Sequence, residues 1–180
     1  MIRNIIFDFD GTLVDTTPLI IATMHRTMEV LGLSPKTDKE CIATIGLRLE
    51  EIHSVLWPEE PAAEAFAKTY RVIFDELKRP LQVQCFPGIQ DTLRELHRRG
   101  IGMAIASSRN RSSLWEYVEL FGIRDYFQAI IGGDDVSHGK PEPEPVLTIL
   151  DQCGWRNGET LAIGDAPVDI QMGSPEKTCV

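Results

Sequence analysis

The sequence predicts an α/β fold in which helices wrap a parallel sheet and an all-helical segment is inserted after the first strand. Three observations support this prediction. The chain opens with an apolar strand pattern at Ile5–Phe7, residues 16–84 carry helix patterns alone, and helix and strand patterns alternate from residue 89 onward. Such alternation is typical of a parallel sheet with right-handed crossovers. We therefore predict an α/β core domain from residues 1–15 and 85–180 and a helical domain from residues 16–84.

The helical segment has clear start and stop signals. Thr16 or Thr17 can cap a first helix with Pro18 in its first turn, and Gly32 ends it. Three more helices are predicted over about residues 37–44, 47–57 and 62–79, the last one ended by Pro80. Aromatic and methionine side chains recur there at helical spacing, which indicates the core of a small bundle rather than a cofactor site.

The second half alternates regularly. Helices are predicted over about residues 89–99 and 112–121 and from about residue 142, and strands over residues 102–106, 128–131 and 161–163. Together with Ile5–Phe7, these give four strands, each followed by polar residues. Ligands of open α/β sheets bind at that edge, where the strands end.

Composition excludes several classes of protein. The 180-residue chain has 18 Lys+Arg against 27 Asp+Glu, a net charge of -9, which argues against nonspecific binding to nucleic acid or to an anionic membrane. No apolar run approaches the roughly 20 residues of a membrane span, and Met1-Ile2-Arg3 opens no signal peptide, so we expect a cytoplasmic protein. Four scattered cysteines and four scattered histidines have no zinc or disulfide spacing, which favours reduced thiols.

Polar residues with chemical potential follow the predicted strands. Asp8 and Asp10 follow the first strand on one face, Ser107 follows the second, and Asp165 follows the last, while Lys140 precedes a helix. Two neighbouring carboxylates at the end of a buried strand repel each other, so a cation or several donors must compensate them. We expect these side chains to converge into one site.

The same residues form an ordered series of motifs. They are D-x-D-G-T at Asp8–Thr12, Ser107 at a strand end, Lys140-Pro141, and G-D-x-x-x-D at Gly164–Asp169. The series resembles that of the haloacid-dehalogenase-like superfamily of phosphatases. The resemblance implies a Rossmann-like core with a helical cap that closes over the substrate, with hinges near residues 14–17 and 82–88.

The resemblance also implies roles. Asp8 would be the nucleophile that forms an aspartyl-phosphate, and Asp10 would be the general acid and base. Lys140 would supply a fixed positive charge. The substrate's phosphate would be bound by residues of the first two motifs, namely Gly11, Thr12, Ser107 and Ser108. The alternative for Lys140 is an ordinary solvated lysine.

Mg²⁺ is the cofactor that the resemblance implies. It would be held by the carboxylates of Asp8 and Asp165 and the main-chain carbonyl of Asp10, with Asp169 orienting a bound water. Asp169 could instead be a plain carboxylate at a helix N-terminus. In the helical domain, Arg48 is the candidate for binding a substrate anion, and an exposed arginine at a helix start is its alternative.

The expected activity is Mg²⁺-dependent hydrolysis of a small phosphorylated metabolite, in the branch that resembles phosphoglycolate phosphatases and small pyrophosphatases. A sugar-phosphate mutase or an inorganic pyrophosphatase is the alternative. The histidine that relatives of the mutase type carry at the start of the cap is missing here, and the nearest is His25. A phosphate-binding module without turnover is the non-enzyme alternative.

The C-terminal segment departs from the family pattern. Relatives continue after the last motif with a helix and a fifth strand, whereas this sequence ends at Val180. We expect the fifth strand to be missing or vestigial and the Gly164–Asp169 loop to be poorly supported.

Overall fold

The computed structural model describes residues 1–79 and 82–173. In chain order the elements are β1 (Asn4–Phe7), β2 (Val14–Asp15), α1 (Thr17–Leu31), α2 (Asp38–Ile42), α3 (Leu49–Leu56), α4 (Ala63–Leu77), β3 (Gln84–Cys85), α5 (Ile89–Arg98), β4 (Gly102–Ala106), α6 (Arg111–Leu120), β5 (Ala129–Ile131), α7 (Glu144–Cys153), β6 (Thr160–Ile163) and α8 (Pro167–Gly173).

A four-stranded parallel sheet in the order β5-β4-β1-β6 forms the centre of the fold. Strand β1 is central because it pairs on both sides, with Ile5 opposite Met103 of β4 and Leu161 of β6. All pairings are parallel, so every strand ends at the same edge of the sheet. The predicted α/β class is confirmed.

The two faces of the sheet are covered by different helices. Ile5 and Phe7 of β1 point into a core that includes Leu93 of α5 and Leu114 of α6. Ile6 lies on the opposite face, where the core includes side chains of α7 and α8. This alternation follows from the two-residue period of a strand. The apolar run at the N-terminus is therefore buried on both faces, as its composition predicts.

Helices α1 to α4 lie between β2 and β3 in the sequence, and we call them the helical insert. A row of ring contacts crosses its interior, from Trp57 to Phe66 at 5.5 Å between centroids, to Tyr70 at 6.1 Å, and to Phe74 at 6.0 Å. The row continues from Phe74 to Tyr117 of α6 at 6.4 Å. The aromatic residues thus build the core of the insert, as predicted, and also join it to the sheet's helices.

The chain passes between the sheet and the helical insert through a short antiparallel ladder that the sequence analysis missed. Val14 pairs with Cys85 and Asp15 with Gln84, and the amide of Phe86 donates to the carbonyl of Leu13 at 3.1 Å. The two predicted hinge segments are therefore joined side by side, and correspond to β2 and β3 rather than to two independent loops.

Predicted helix and strand bounds differ from the observed ones by a few residues at most. The largest differences are two residues: α2 ends at Ile42 instead of residue 44, and α4 ends at Leu77 instead of residue 79. Likewise, α3 begins at Leu49 instead of residue 47, and α7 begins at Glu144 instead of residue 142. Pro80, Cys179 and the expected absence of a fifth strand after Gly173 lie outside the described residues. The domain boundaries remain a prediction. None of the described helices is both long and apolar enough to span a bilayer.

Candidate active site

A buried lysine between two carboxylates forms the centre of the site. Lys140 Nζ lies 2.5 Å from Asp8 Oδ1 and 2.6 Å from Asp169 Oδ1. The three side chains are only 1%, 5% and 4% exposed, in the order Lys140, Asp8, Asp169. Asp8 follows β1, Lys140 lies in the loop before α7, and Asp169 lies in the first turn of α8. The alternative of a solvated Lys140 is excluded by this burial.

Asp165 completes a cluster of three carboxylates that fits a divalent cation. One oxygen each from Asp8, Asp165 and Asp169 lie within 4.8 Å of one another. Hard carboxylate oxygens are the ligands that Mg²⁺ prefers. Two glycines leave the room that the cluster needs, because a Cβ at Gly11 would collide with the Asp165 carboxylate and one at Gly164 with the Asp169 carboxylate. The residues present therefore fit an Mg²⁺ ion.

Burial and mutual repulsion perturb these groups. Burial raises the pKa of Asp8 from 3.8 to about 7, against the opposing effect of Lys140. Burial, followed by the nearby Asp169, also raises the pKa of Asp165. For Lys140 burial alone would lower the pKa, but Asp8 and Asp169 outweigh it and raise the pKa. The lysine is therefore a permanent cation, and the carboxylates carry more negative charge than it can balance.

Asp10 is bound by an arginine that the sequence analysis did not single out. Arg109 donates from Nη2 to Asp10 Oδ1 at 2.5 Å and from Nε to Oδ2 at 3.1 Å. Its third contact is from Nη1 to Ser113 Oγ at 3.0 Å. The Arg109 side chain is 8% exposed and that of Asp10 is 14% exposed. Such a two-pronged, largely desolvated pair fixes both side chains in orientation.

The two serines after β4 have different surroundings. Ser107 is buried, and its hydroxyl accepts a hydrogen bond from the Arg109 amide at 3.1 Å. Ser108 instead donates to the carbonyl of Gly46 in the helical insert at 2.5 Å. Thr12 Oγ1 donates to Asp165 at 3.4 Å. Of these predicted phosphate-binding side chains, Ser108 is occupied in joining the insert to the sheet.

Arg48 also joins the two parts of the molecule. Its Nη2 and Nη1 donate to the carbonyls of Val136 and Ser137, at 2.8 and 3.0 Å, in the loop that leads to Lys140. It lines the same cavity as Asp8, but the described contacts of its guanidinium are to main-chain carbonyls. Binding of a substrate anion by Arg48 remains a prediction.

A cavity of about 520 Å³ lies between the helical insert and the end of the sheet. Asp8, Asp10 and Ser107 line one wall, and Arg109 lies beside them. Tyr70 and other residues of the insert line the opposite wall. The volume is suited to a small organic molecule.

The comparisons with known proteins agree with this geometry. The sequence model of the haloacid dehalogenase-like hydrolase family matches residues 5–178, nearly the whole chain. The chain belongs to the haloacid dehalogenase-like hydrolase family. This confirms the family predicted from the four motifs.

Individual relatives of this hydrolase resemble it over most of their length. The pyrophosphatase PpaX of Oceanobacillus iheyensis is 36% identical over 172 residues, which cover 96% of this chain and 78% of the relative. The phosphoglycolate phosphatase of Salmonella typhi is 29% identical over 192 residues, which cover 94% and 76%. A solved structure of a putative haloacid dehalogenase-like hydrolase from Bacteroides fragilis superposes with a TM-score of 0.91 at 32% identity, covering 97% of this chain and 83% of that one.

Within this family member, six predicted residues converge at the sheet edge: Asp8, Asp10, Ser107, Lys140, Asp165 and Asp169. Their chemical roles remain predictions. The residue that sequence reasoning missed is Arg109. Its only sequence signal is its position, two residues after Ser107 in the loop between β4 and α6.

Proposed function

We propose that this protein is an Mg²⁺-dependent phosphatase that hydrolyses a small phosphorylated metabolite through an aspartyl-phosphate on Asp8. The observation that carries the proposal is the placement of Asp8. Its carboxylate is buried, contacts Lys140, belongs to a carboxylate cluster that fits Mg²⁺, and lines the cavity. A carboxylate with only a structural role would need Lys140 as a partner. It would need neither the other two carboxylates nor a place in the cavity wall.

The chain's own residues account for the first half-reaction. Asp8 attacks the phosphorus atom, and the bond from phosphorus to the leaving oxygen breaks as the bond to the Asp8 carboxylate forms. Lys140 holds the carboxylate in place and offsets negative charge on the transferring group. Ser107, at the end of β4, offers its hydroxyl to a phosphate oxygen. Asp8, Asp165 and the main-chain carbonyl of Asp10 would hold Mg²⁺, with Asp169 beside them, and the ion when bound supplies positive charge to the phosphoryl group.

Asp10 carries the proton. As a general acid it protonates the leaving oxygen, and as a general base it takes a proton from the water that hydrolyses the aspartyl-phosphate. It lies two residues from Asp8 and lines the same cavity. The two aspartates at the end of β1 therefore have different roles: Asp8 is the nucleophile and Asp10 transfers the proton.

Two substrates follow from the names of the relatives. The name of the phosphoglycolate phosphatase of Salmonella typhi supports a small monoester, and the name of the pyrophosphatase PpaX supports inorganic pyrophosphate. The cavity of about 520 Å³ accommodates either.

The experiment compares the variants Asp8→Asn and Asp10→Asn in the presence of MgCl₂ to distinguish the roles of the two aspartates. Asp8→Asn should abolish release of phosphate from every substrate, because no nucleophile remains. Asp10→Asn should give a burst of nitrophenolate of up to one equivalent from p-nitrophenyl phosphate and then a slow steady rate, because that leaving group needs no proton but the attacking water lacks its base. The steady rate should fall by about 10²- to 10⁴-fold. Asp15→Asn, at an exposed carboxylate of β2, is the matched control and should keep the wild-type rate.

Rapid-quench measurement decides the result. If Asp10→Asn gives no burst, or hydrolyses an alkyl phosphate at a near-normal rate, Asp10 has no acid–base role. If the wild type releases no phosphate from a panel of small phosphorylated metabolites or from pyrophosphate, the protein is a phosphate-binding module.

A further inference from the structure

Among the described residues, the cations that line the cavity have three kinds of partner. Arg71 and Lys78 lie towards the outside and have carboxylate partners on the surface, and Arg48 donates to main-chain carbonyls. Arg109 is different, because it is almost fully desolvated and its charged partner is Asp10, the residue that is to move the proton.

Aromatic rings hold the Arg109 guanidinium in place. Its central carbon lies 4.8 Å from the ring centroid of Phe74, 5.1 Å from that of Tyr117 and 5.9 Å from that of Phe9. These rings come from the helical insert, from α6 and from the residue next to Asp8. A guanidinium packed in this way keeps its position when its partner changes. It is a rigid anion site.

The pairing conflicts with the role of Asp10 as a proton donor. Both carboxylate oxygens of Asp10 accept hydrogen bonds from Arg109. A carboxyl group that gives a proton to the leaving oxygen needs one oxygen turned towards that oxygen and free of the guanidinium. The observed arrangement is therefore a resting state, and something must separate Asp10 from Arg109 before the leaving group departs.

We propose that a second anionic group of the substrate takes the place of Asp10 on Arg109. This proposal rests on the proposed phosphatase function and names its substrate class, a phosphate ester or anhydride that carries a further carboxylate or phosphate. The phosphate to be transferred lies at Asp8 and the second anion pairs with Arg109, which frees Asp10 for the leaving oxygen. An ester without a second anion leaves Asp10 bound to Arg109 for more of the time and is hydrolysed more slowly than an ester that carries one.

A matched pair of esters tests the exchange. 2-Phosphoglycolate and 2-hydroxyethyl phosphate have the same chain length and differ in a carboxylate against a neutral hydroxymethyl group. For the wild type, kcat/KM should favour 2-phosphoglycolate by roughly 30-fold or more, the size typical of a desolvated charge contact. In Arg109→Gln this ratio should fall to about 3 or less, because 2-phosphoglycolate loses its contact while 2-hydroxyethyl phosphate keeps its rate or gains from the release of Asp10.

Arg71→Gln is the control for charge alone, since Arg71 lines the same cavity but pairs with the exposed Glu50. It should keep the wild-type ratio. If Arg109→Gln lowers kcat/KM for both esters by the same factor, Arg109 serves only to hold Asp10, and the proposal is overturned. A wild type that does not prefer 2-phosphoglycolate also overturns it, without any variant.

Two further measurements apply if Arg109→Gln does not fold or if the wild type hydrolyses neither ester. If Arg109→Gln does not fold, Arg109→Lys keeps the charge but loses the two-pronged geometry, and its ratio should lie between those of the wild type and an uncharged site; an unchanged ratio argues against Arg109. If the wild type hydrolyses neither ester, the panel of phosphorylated metabolites and pyrophosphate decides the proposed function, and calorimetric titration of the two esters decides the role of Arg109. Tighter binding of 2-phosphoglycolate that is lost in the Arg109 variant supports the anion site, and equal binding of both esters refutes it.

Discussion

Replacing Lys140 by methionine should destabilise the protein strongly, because it removes the cation between two buried carboxylates. Lys140 Nζ makes two ion pairs, at 2.5 Å to Asp8 and 2.6 Å to Asp169. Methionine fills a similar volume, so the main change is the loss of charge. Removing one partner of a buried ion pair costs about 3–5 kcal/mol, since the remaining charge has no compensation.

The loss can be measured as a change in the free energy of unfolding in urea at pH 8, with EDTA present. For a chain of this size, 3–5 kcal/mol corresponds to a decrease in Tm of about 10 °C. The high pH is chosen because burial raises the pKa of Asp8 to about 7 even beside Lys140, and loss of the lysine raises this pKa further, so a proton on Asp8 hides more of the loss at lower pH. Lys68→Met, at an exposed lysine of α4, is the control and should change stability by less than about 0.5 kcal/mol.

Two further measurements test whether Lys140 and the two carboxylates are energetically coupled. MgCl₂ should restore more stability to Lys140→Met than it adds to the wild type, because the freed carboxylates bind the cation. Asp169→Asn in the Lys140→Met background should recover part of the loss, because one uncompensated carboxylate is removed. A loss below about 1 kcal/mol for Lys140→Met, or a double variant whose losses simply add, would show that the charges are not coupled as the distances imply.

Three other changes test separate features of the site. In EDTA the free energy of unfolding should decline as the pH rises from about 4 to about 7. The reason is that burial raises the pKa of Asp8 from 3.8 to about 7, so the folded chain loses a proton over this range that the unfolded chain has already lost. Urea titrations of Asp8→Asn should lack this decline. Gly164→Ala should weaken the dependence of Tm on MgCl₂, because its Cβ collides with Asp169, whereas Gly158→Ala, with open space around it, should behave as wild type in the same thermal scans. Arg48→Ala should raise KM for all substrates by a similar factor, because Arg48 joins the helical insert to main-chain carbonyls; a selective rise for substrates with a second anion would instead make it a substrate-binding residue.

The sheet could be predicted from sequence because each strand carries its own local signal. β4 is an apolar run, Gly102–Ala106, that ends at a serine, and its predicted bounds equal the observed ones. Strands β2 and β3 have no such signal. Each is two residues long and exists only because Val14 and Cys85, 71 positions apart, are brought together by the rest of the fold. Short strands defined by long-range pairing cannot be read from local periodicity.

The convergence of the site was predictable for a different reason. Parallel strands end at one edge, so polar residues at strand ends meet there whatever the details of packing. This argument places Asp8, Ser107 and Asp165 but says nothing about partners. Arg109 gains its importance from rings on three separate segments and from its contact with Asp10. Such an environment is a property of the folded chain, and no spacing in the sequence reports it.

The charge balance of the site explains why the exchange at Arg109 matters. Among the described residues the site contains four carboxylates and two cations: Asp8, Asp10, Asp165 and Asp169 against Lys140 and Arg109. When all four carboxylates are ionised, two negative charges remain, and one divalent cation in the carboxylate cluster would balance them. With that cation bound, every positive charge of the site is already balanced by a carboxylate before the substrate binds. Lys140 is shared by two carboxylates beneath the cavity, but Arg109 has one charged partner and a position fixed by aromatic rings. A second substrate anion can therefore gain a desolvated cation only by displacing Asp10, and that displacement is what gives the proton carrier its freedom.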